Sequence, residues 1–271
     1  MKRRALLIMT GALLLSGRSE RARAQDAATK QELAPTGKLR VGIAVSPAPS
    51  ALWVVPGPEA GSYRGVAIDL GTRLAAKLQV PVVFVPYKGS GEITNDADKN
   101  AWDVTFVPVD DERKKRMAFG SPYHLLQSTY AVAPGAAIAS VAAANSPTVR
   151  IAGVAGTTTL RASMAATKDA QHVTVNSVDE AVALMKAGKI DAIALSRESL
   201  SGLAGVIPGL KTLDGGFLNS TTAVAVPKGK PAALAYVSAF IEEAKASGEV
   251  RAAFDHIGLT SSVVAPAGMA P

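Results

Sequence analysis

Short apolar runs alternate with helical patterns along this chain, and that alternation restricts the fold more than any single motif. Lys38-Leu-Arg-Val-Gly-Ile-Ala-Val45 reads as a strand, and Leu70, Leu74 and Leu78, spaced by four, mark an amphipathic helix that stops near Val80-Pro81. Val82-Val-Phe-Val85 is the next strand. The pattern restarts with Val149-Arg-Ile-Ala-Gly-Val-Ala155, Val173-Thr-Val175, the capping box Ser177-Val-Asp-Glu180 with a helix to Ala187 stopped by Gly188, and the strand Lys189 to Leu195. Between the two series, residues 134–147 are rich in Ala, Ser, Pro and Gly, as at a domain crossing. An α/β chain of two units follows, with strands 127–133 and 221–226 placed to cross between them.

The amino terminus reads as an export signal: Lys2, Arg3 and Arg4, an apolar run from Ala5 to Leu15, then Ala22-Arg23-Ala24 before Gln25. The expected cut is after Ala24; the Arg3-Arg4 pair leaves both general and twin-arginine export open. The apolar run is about half of the roughly 20 residues that a membrane span requires. The whole chain carries +7, but residues 1–24 hold six of the basic residues and one acid, leaving 23 basic against 21 acidic. With no basic block interleaved with aromatics, nucleic acid is not expected as a partner. The absence of cysteine excludes disulfides and thiolate metal sites, and His124, His172 and His256 show no ligand spacing. A folded, exported monomer without metal or cofactor is expected.

Chemistry concentrates in Trp102 to Tyr123, which reads as a short strand through Val104, Phe106 and Val107, a helix opened by Asp110, Asp111 and Glu112, and an aromatic turn. Acid first and base later suits the helix dipole, so most of those charges have a local explanation. Lys114, Lys115 and Arg116 fan out at about 100° per residue, so most of the run faces solvent. Tyr87-Lys-Gly-Ser90-Gly-Glu-Ile93 is a glycine-rich turn, either a plain bend or a place where free N–H groups hold an anion. Gly156-Thr157-Thr158-Thr159 is a strand-to-helix turn whose hydroxyls either cap the helix or hold a carboxylate or phosphate. Trp53, among Pro47, Pro49, Pro56 and Pro58, either plugs the core beneath its loop or faces a ligand.

Four motifs in order carry a resemblance: Gly65-Val-Ala-Ile-Asp69-Leu70; Asp111-Glu112-Arg113 with Phe119-Gly-Ser-Pro-Tyr123; Gly156-Thr-Thr158; and Ala187-Gly188-Lys-Ile-Asp191-Ala192. From Lys38 to Gly258 the chain resembles the family 3 extracellular solute-binding proteins of ABC transporters, best known for polar amino acids. The resemblance implies a periplasmic-binding-protein-like α/β fold, two lobes joined by two hinge strands around a ligand cleft. Expected boundaries are a lead-in over 25–37, lobe one over 38–129 and 222–258, lobe two over 130–221 and a mobile tail over 259–271. It also implies capture of a small polar solute for a membrane permease, with Arg113 gripping the solute's carboxylate and Thr157 and Thr158 adding donors from the other lobe.

Phe106 and Pro108 stand where amino-acid binders have glycine and a hydroxyl residue, and Ser196 stands where the ammonium-pairing aspartate is expected. These departures favour a small organic anion, or another polar solute lacking the usual ammonium contact, over a standard amino acid. Arg197 is a candidate for a second negative group or a solvated helix start, and Glu198 an alternative acid. The site expected is therefore Arg113, Thr157, Thr158 and Ser196 with Trp53, Tyr87, Ser90 and Arg197. An enzymatic alternative, a dehydratase on the same fold, has Glu92, Asp110 and Glu198 as acid–base candidates. A sensor that reports to a receptor is the third reading.

Overall fold

The computed structural model describes residues 25–45 and 54–271. The proposed signal over 1–24 and Trp53 lie outside the described residues. In chain order come helix α1 (25–33), β1 (Leu39–Ala44), β2 (Val55–Pro56), β3 (Tyr63–Arg64), α2 (Val66–Leu78), β4 (Val82–Tyr87), α3 (Ser90–Asn95), β5 (Val104–Pro108) and α4 (Asp111–Lys114). β6 (Met117–Val132) leads to β7 (Arg150–Val154), α5 (Thr158–Ala166), β8 (Gln171–Val175), α6 (Val178–Lys186), β9 (Ala192–Ser196), α7 (Arg197–Leu203) and β10 (Lys211–Thr212). The chain returns through β11 (Leu218–Pro227), α8 (Pro231–Ala246), α9 (Glu249–His256) and β12 (Val263–Val264).

One ten-stranded mixed sheet runs β4-β1-β5-β11-β6-β9-β7-β8, with β10 and β12 also on β6. β6 is shared: Met117 to Ser128 pair with β11, and Ser128 to Val132 pair with β9. The apolar interior divides at the same point. Leu39, Leu70, Leu74, Val237 and Phe254 lie in one core, while Val175, Met185, Ile193 and Leu200 lie in another. The fold is thus two α/β lobes on a sheet whose middle strands are common property, as the alternation implied.

Within the first lobe, β5 is buried at all five positions because β1 and β11 flank it and helices cover both faces. α2 buries Val66, Leu70, Leu74 and Leu78 on one side, and Gly71 lets it approach Val41 and Phe84, which a β-carbon would meet at 3.2–3.3 Å. Each lobe also repeats one device. Asp103, just before β5, accepts hydrogen bonds from the backbone N–H, Nε and Nη2 of Arg40 at 2.7–3.0 Å. Asp191, just before β9, takes the same three bonds from Arg150 at 2.7–2.9 Å. In both, the aspartate N–H returns a 2.8 Å bond to the arginine carbonyl. Asp191 therefore ties two parallel strands together and does not belong to the cleft.

Three expectations are corrected. Phe119 to Tyr123 is no turn but part of β6: shifts of register against β11 around Ala223 absorb Gly120 and Pro122, while Tyr123 packs edge-on against Phe106 at 5.9 Å in the core. The lead-in contains a helix that buries Thr29 and Leu33. Residues 259–271 are not a free tail, because Val263 and Val264 pair with Leu125 and His124, and Ser262 and Ala265 are buried.

Candidate functional site

The cleft lies where the carboxyl ends of β1, β5, β7 and β9 face one another across β6, the position an α/β sheet leaves open for ligands. A cavity of about 50 Å³ remains there, lined by Lys88 to Ser90 and Pro108 from the first lobe and by Thr157 to Thr159 and Ser196 from the second. The lobes touch directly beside it: a β-carbon on Gly91 would lie 2.7 Å from the Ala155 carbonyl oxygen and 2.9 Å from Gly156 Cα. Gly156 itself has φ +67, a left-handed conformation that suits glycine.

Arg113 occupies the first lobe's edge of this cleft and is fully enclosed. Its short helix α4 begins at Asp110, whose Oδ1 accepts the Arg113 N–H at 2.8 Å as an N-cap. That geometry turns the guanidinium inward, where Nη1 donates to the Pro108 carbonyl at 2.8 Å and Nη2 to Ser90 Oγ at 2.7 Å. Nη2 also reaches the Gly156 carbonyl of the other lobe at 3.5 Å, and Nε has no hydrogen-bond partner. Burial lowers its pKa to about 10, partly offset by Asp110 and reinforced by Arg161, so it stays protonated at neutral pH. Lys114, Lys115 and Arg116 are exposed.

Asp110 is the centre of the charge arrangement. Its Oδ2 accepts from Thr158 Oγ1 and from Arg161 Nη2, both on α5 of the opposite lobe, and stands 3.9 Å from Arg113 Nε. Burial pushes this carboxyl up, but the Thr158 hydroxyl, the Arg113 N–H and the charges of Arg113 and Arg161 outweigh it and hold the pKa below the ordinary value of 3.8. A carboxylate is therefore seated between two arginines and across two lobes, and it belongs to the protein.

Of the residues expected here, Ser90, Arg113, Thr157, Thr158 and Ser196 come together, though several are already engaged. Thr157 caps α5, accepting the Leu160 N–H at 3.1 Å and donating to the Val154 carbonyl at 2.7 Å. Ser196 caps α7 and donates to Ser199 Oγ at 2.8 Å. Tyr87 is turned to Asp96, donating at 3.3 Å, and burial pushes its hydroxyl up to about 12. Arg197 is not in the cleft: it faces the groove behind the hinge, donating to Gln127 Oε1 at 2.9 Å and to the Gly215 carbonyl at 2.6 Å. Glu198 lies in the same groove, 3.2 Å from the Nε2 of buried His124, so it does not replace a cleft acid.

Arg161 was missed. The available signal was its spacing, one helical turn beyond Thr158, which puts both side chains on one face. Among the three acid–base candidates, Asp110 alone stands in the cleft; Glu92 is exposed and accepts the Lys88 N–H at 2.9 Å. Among the described residues no helix is long and apolar enough to cross a membrane, and no group of three or more His, Asp or Glu side chains is placed to hold a metal.

The family model for bacterial extracellular solute-binding proteins, family 3, matches residues 39–258. Among solved structures, an ancestral amino acid-binding protein, AncCDT-1, a precursor of cyclohexadienyl dehydratase, is 26% identical with TM-score 0.74, the match covering 84% of this chain and 98% of that one. An amino acid ABC transporter substrate-binding protein from Streptococcus pneumoniae bound to L-arginine is 23% identical with TM-score 0.73, covering 89% of this chain and 99% of that one. A P235GK mutant of ArgBP from T. maritima is 21% identical with TM-score 0.73, over 84% and 98%. At these identities the last two speak to the fold. No curated protein matches the chain.

Proposed function

This chain belongs to the bacterial extracellular solute-binding proteins, family 3, and from that premise we propose that it captures a small polar, carboxylate-bearing solute between its lobes and delivers it to an ABC permease. Residues 1–24 serve as the export signal, cleaved after Ala24, and the remaining chain works in the periplasm as a monomer that binds without catalysing.

The observation that carries this reading is the seat of Asp110. Thr158 and Arg161 from one lobe meet Arg113 from the other around a single carboxylate position. A solute carboxylate in that position would be held from both sides, so its binding energy would favour the closed arrangement of the lobes. Arginine suits the task because it keeps its charge when buried, and the Nε of Arg113, 3.9 Å from Asp110 Oδ2, has no hydrogen-bond partner of its own. Pro108, which has neither hydroxyl nor N–H, and Ser196, which carries no charge, offer an α-ammonium no acidic partner at those two positions, and the Asp110 carboxylate is already paired with Arg113 and Arg161, which favours organic anions over standard amino acids.

A thermal-shift screen against amino acids, mono- and dicarboxylates, sugars and inorganic anions tests the reading, because a bound solute raises the apparent stability. Stabilisation by carboxylates without an amino group is expected. Stabilisation confined to sugars would refute the ligand class, and stabilisation by ordinary amino acids at least as strong would refute the departure from amino-acid binding.

A further inference from the structure

Asp110 does two separable things with its two oxygens. Oδ1 accepts the Arg113 N–H at 2.8 Å, which is all that an N-cap requires. Oδ2 crosses the cleft to Thr158 and Arg161 on the other lobe. The second contact adds nothing to the cap. It joins residues 48 and 51 positions apart in the chain, and it lies over Arg113, whose own side chain is sealed from solvent. Around it the lobes meet backbone to backbone at Gly91 and Gly156, beside a cavity of about 50 Å³.

We infer that Asp110 is the specificity-determining residue of the cleft: its carboxylate is a built-in occupant of the anion position, which holds the lobes together and which a solute must displace. This rests on the solute reading for the identity of the displaced group, but the holding contact itself does not. A solute with a carboxylate competes with Asp110 for Thr158 and Arg161, contact for contact. Neutral solutes gain nothing by displacing it and leave Asp110 and Arg161 unpaired. The cleft thereby selects anions and weakens their apparent affinity in proportion to how fully the latched form is populated.

The test separates the two oxygens. Asp110→Ser keeps a capping hydroxyl and removes the crossing carboxylate; Arg161→Gln removes the ion pair of the crossing from the half-exposed side and leaves the cap and the Thr158 bond in place. Small-angle scattering of the ligand-free protein is expected to give a larger radius of gyration for both variants than for the wild type. Titration with sodium acetate, succinate and L-glutamate is expected to show Asp110→Ser binding its best carboxylate at least about fivefold more tightly than wild type. Ligand-free dimensions unchanged in either variant would overturn the inference, as would a carboxylate affinity that Asp110→Ser leaves the same or lowers. If the variants open but none of the three carboxylates binds any form, the holding contact stands and the solute reading falls.

Discussion

Asp110 and Arg113 form a unit in which each residue is explained by the other. The cap contact at 2.8 Å fixes the direction of the arginine, and the Thr158 hydroxyl together with the arginine's N–H and charge keeps the carboxyl ionised. Because the folded-state pKa of Asp110 is depressed, its contribution is present above the ordinary carboxylate value and is lost as pH falls through the folded one. Other depressed acids, Asp96, Asp191 and Glu242, titrate nearby, so the comparison needs a reference. Urea unfolding at pH 7 and at pH 3 is expected to show wild type losing more stability than Asp110→Ser; equal losses would remove the carboxylate from the account. Arg113→Lys retains the charge but lacks the fork that reaches both the Pro108 carbonyl and Ser90. Its expected cost is about 1–3 kcal/mol in denaturant unfolding, from the acceptors left unpaired.

The Arg40–Asp103 and Arg150–Asp191 pairs show one strand-tying device used twice, but in different surroundings. Asp103 is completely buried, whereas Asp191 is 28% exposed beside an Arg150 that is 36% exposed. Asp103→Ala is expected to cost about 1–3 kcal/mol, since it leaves the Arg40 N–H without its acceptor while the guanidinium keeps its bonds to Asn100. Asp191→Ala is expected to cost about 1 kcal/mol, because water screens and replaces the lost contact. Denaturation midpoints of the two variants check the order. The strands and helices of both lobes were readable from the sequence because their apolar periods are local. The first part of β6 was not: Gly120 and Pro122 look like a turn, and only pairing with β11, about a hundred residues on, keeps the backbone extended. The site was readable in the same measure. Ser90, Thr157, Thr158 and Ser196 announce themselves as hydroxyls at helix starts, but the bridge from Asp110 to Arg161 spans 51 residues and leaves no local trace. Arg197 and Glu198 were candidates for the cleft from their place at the end of β9, and the first turn of α7 carries both to the far side of the hinge.

Two lobes that share β6 and β11 have few ways to move except about those strands, and at Gly91 and Gly156 their backbones stand so close that a β-carbon on either would lie within 2.9 Å of the other lobe. A methyl group on Gly91 would sit 2.7 Å from the Ala155 carbonyl, so Gly91→Ala is expected to prop the lobes apart while leaving each core intact. Scattering should show a wider particle with unchanged helix content by circular dichroism; a particle as compact as wild type would mean that the lobes adjust elsewhere. The proposal of a carboxylate held across both lobes rests finally on Arg113. Calorimetric titration of the wild type and of Arg113→Lys with the best solute from the carboxylate panel decides it. A saturable one-to-one heat in the wild type, weakened at least about tenfold in Arg113→Lys, is the predicted result. Equal affinity in the two proteins would contradict it.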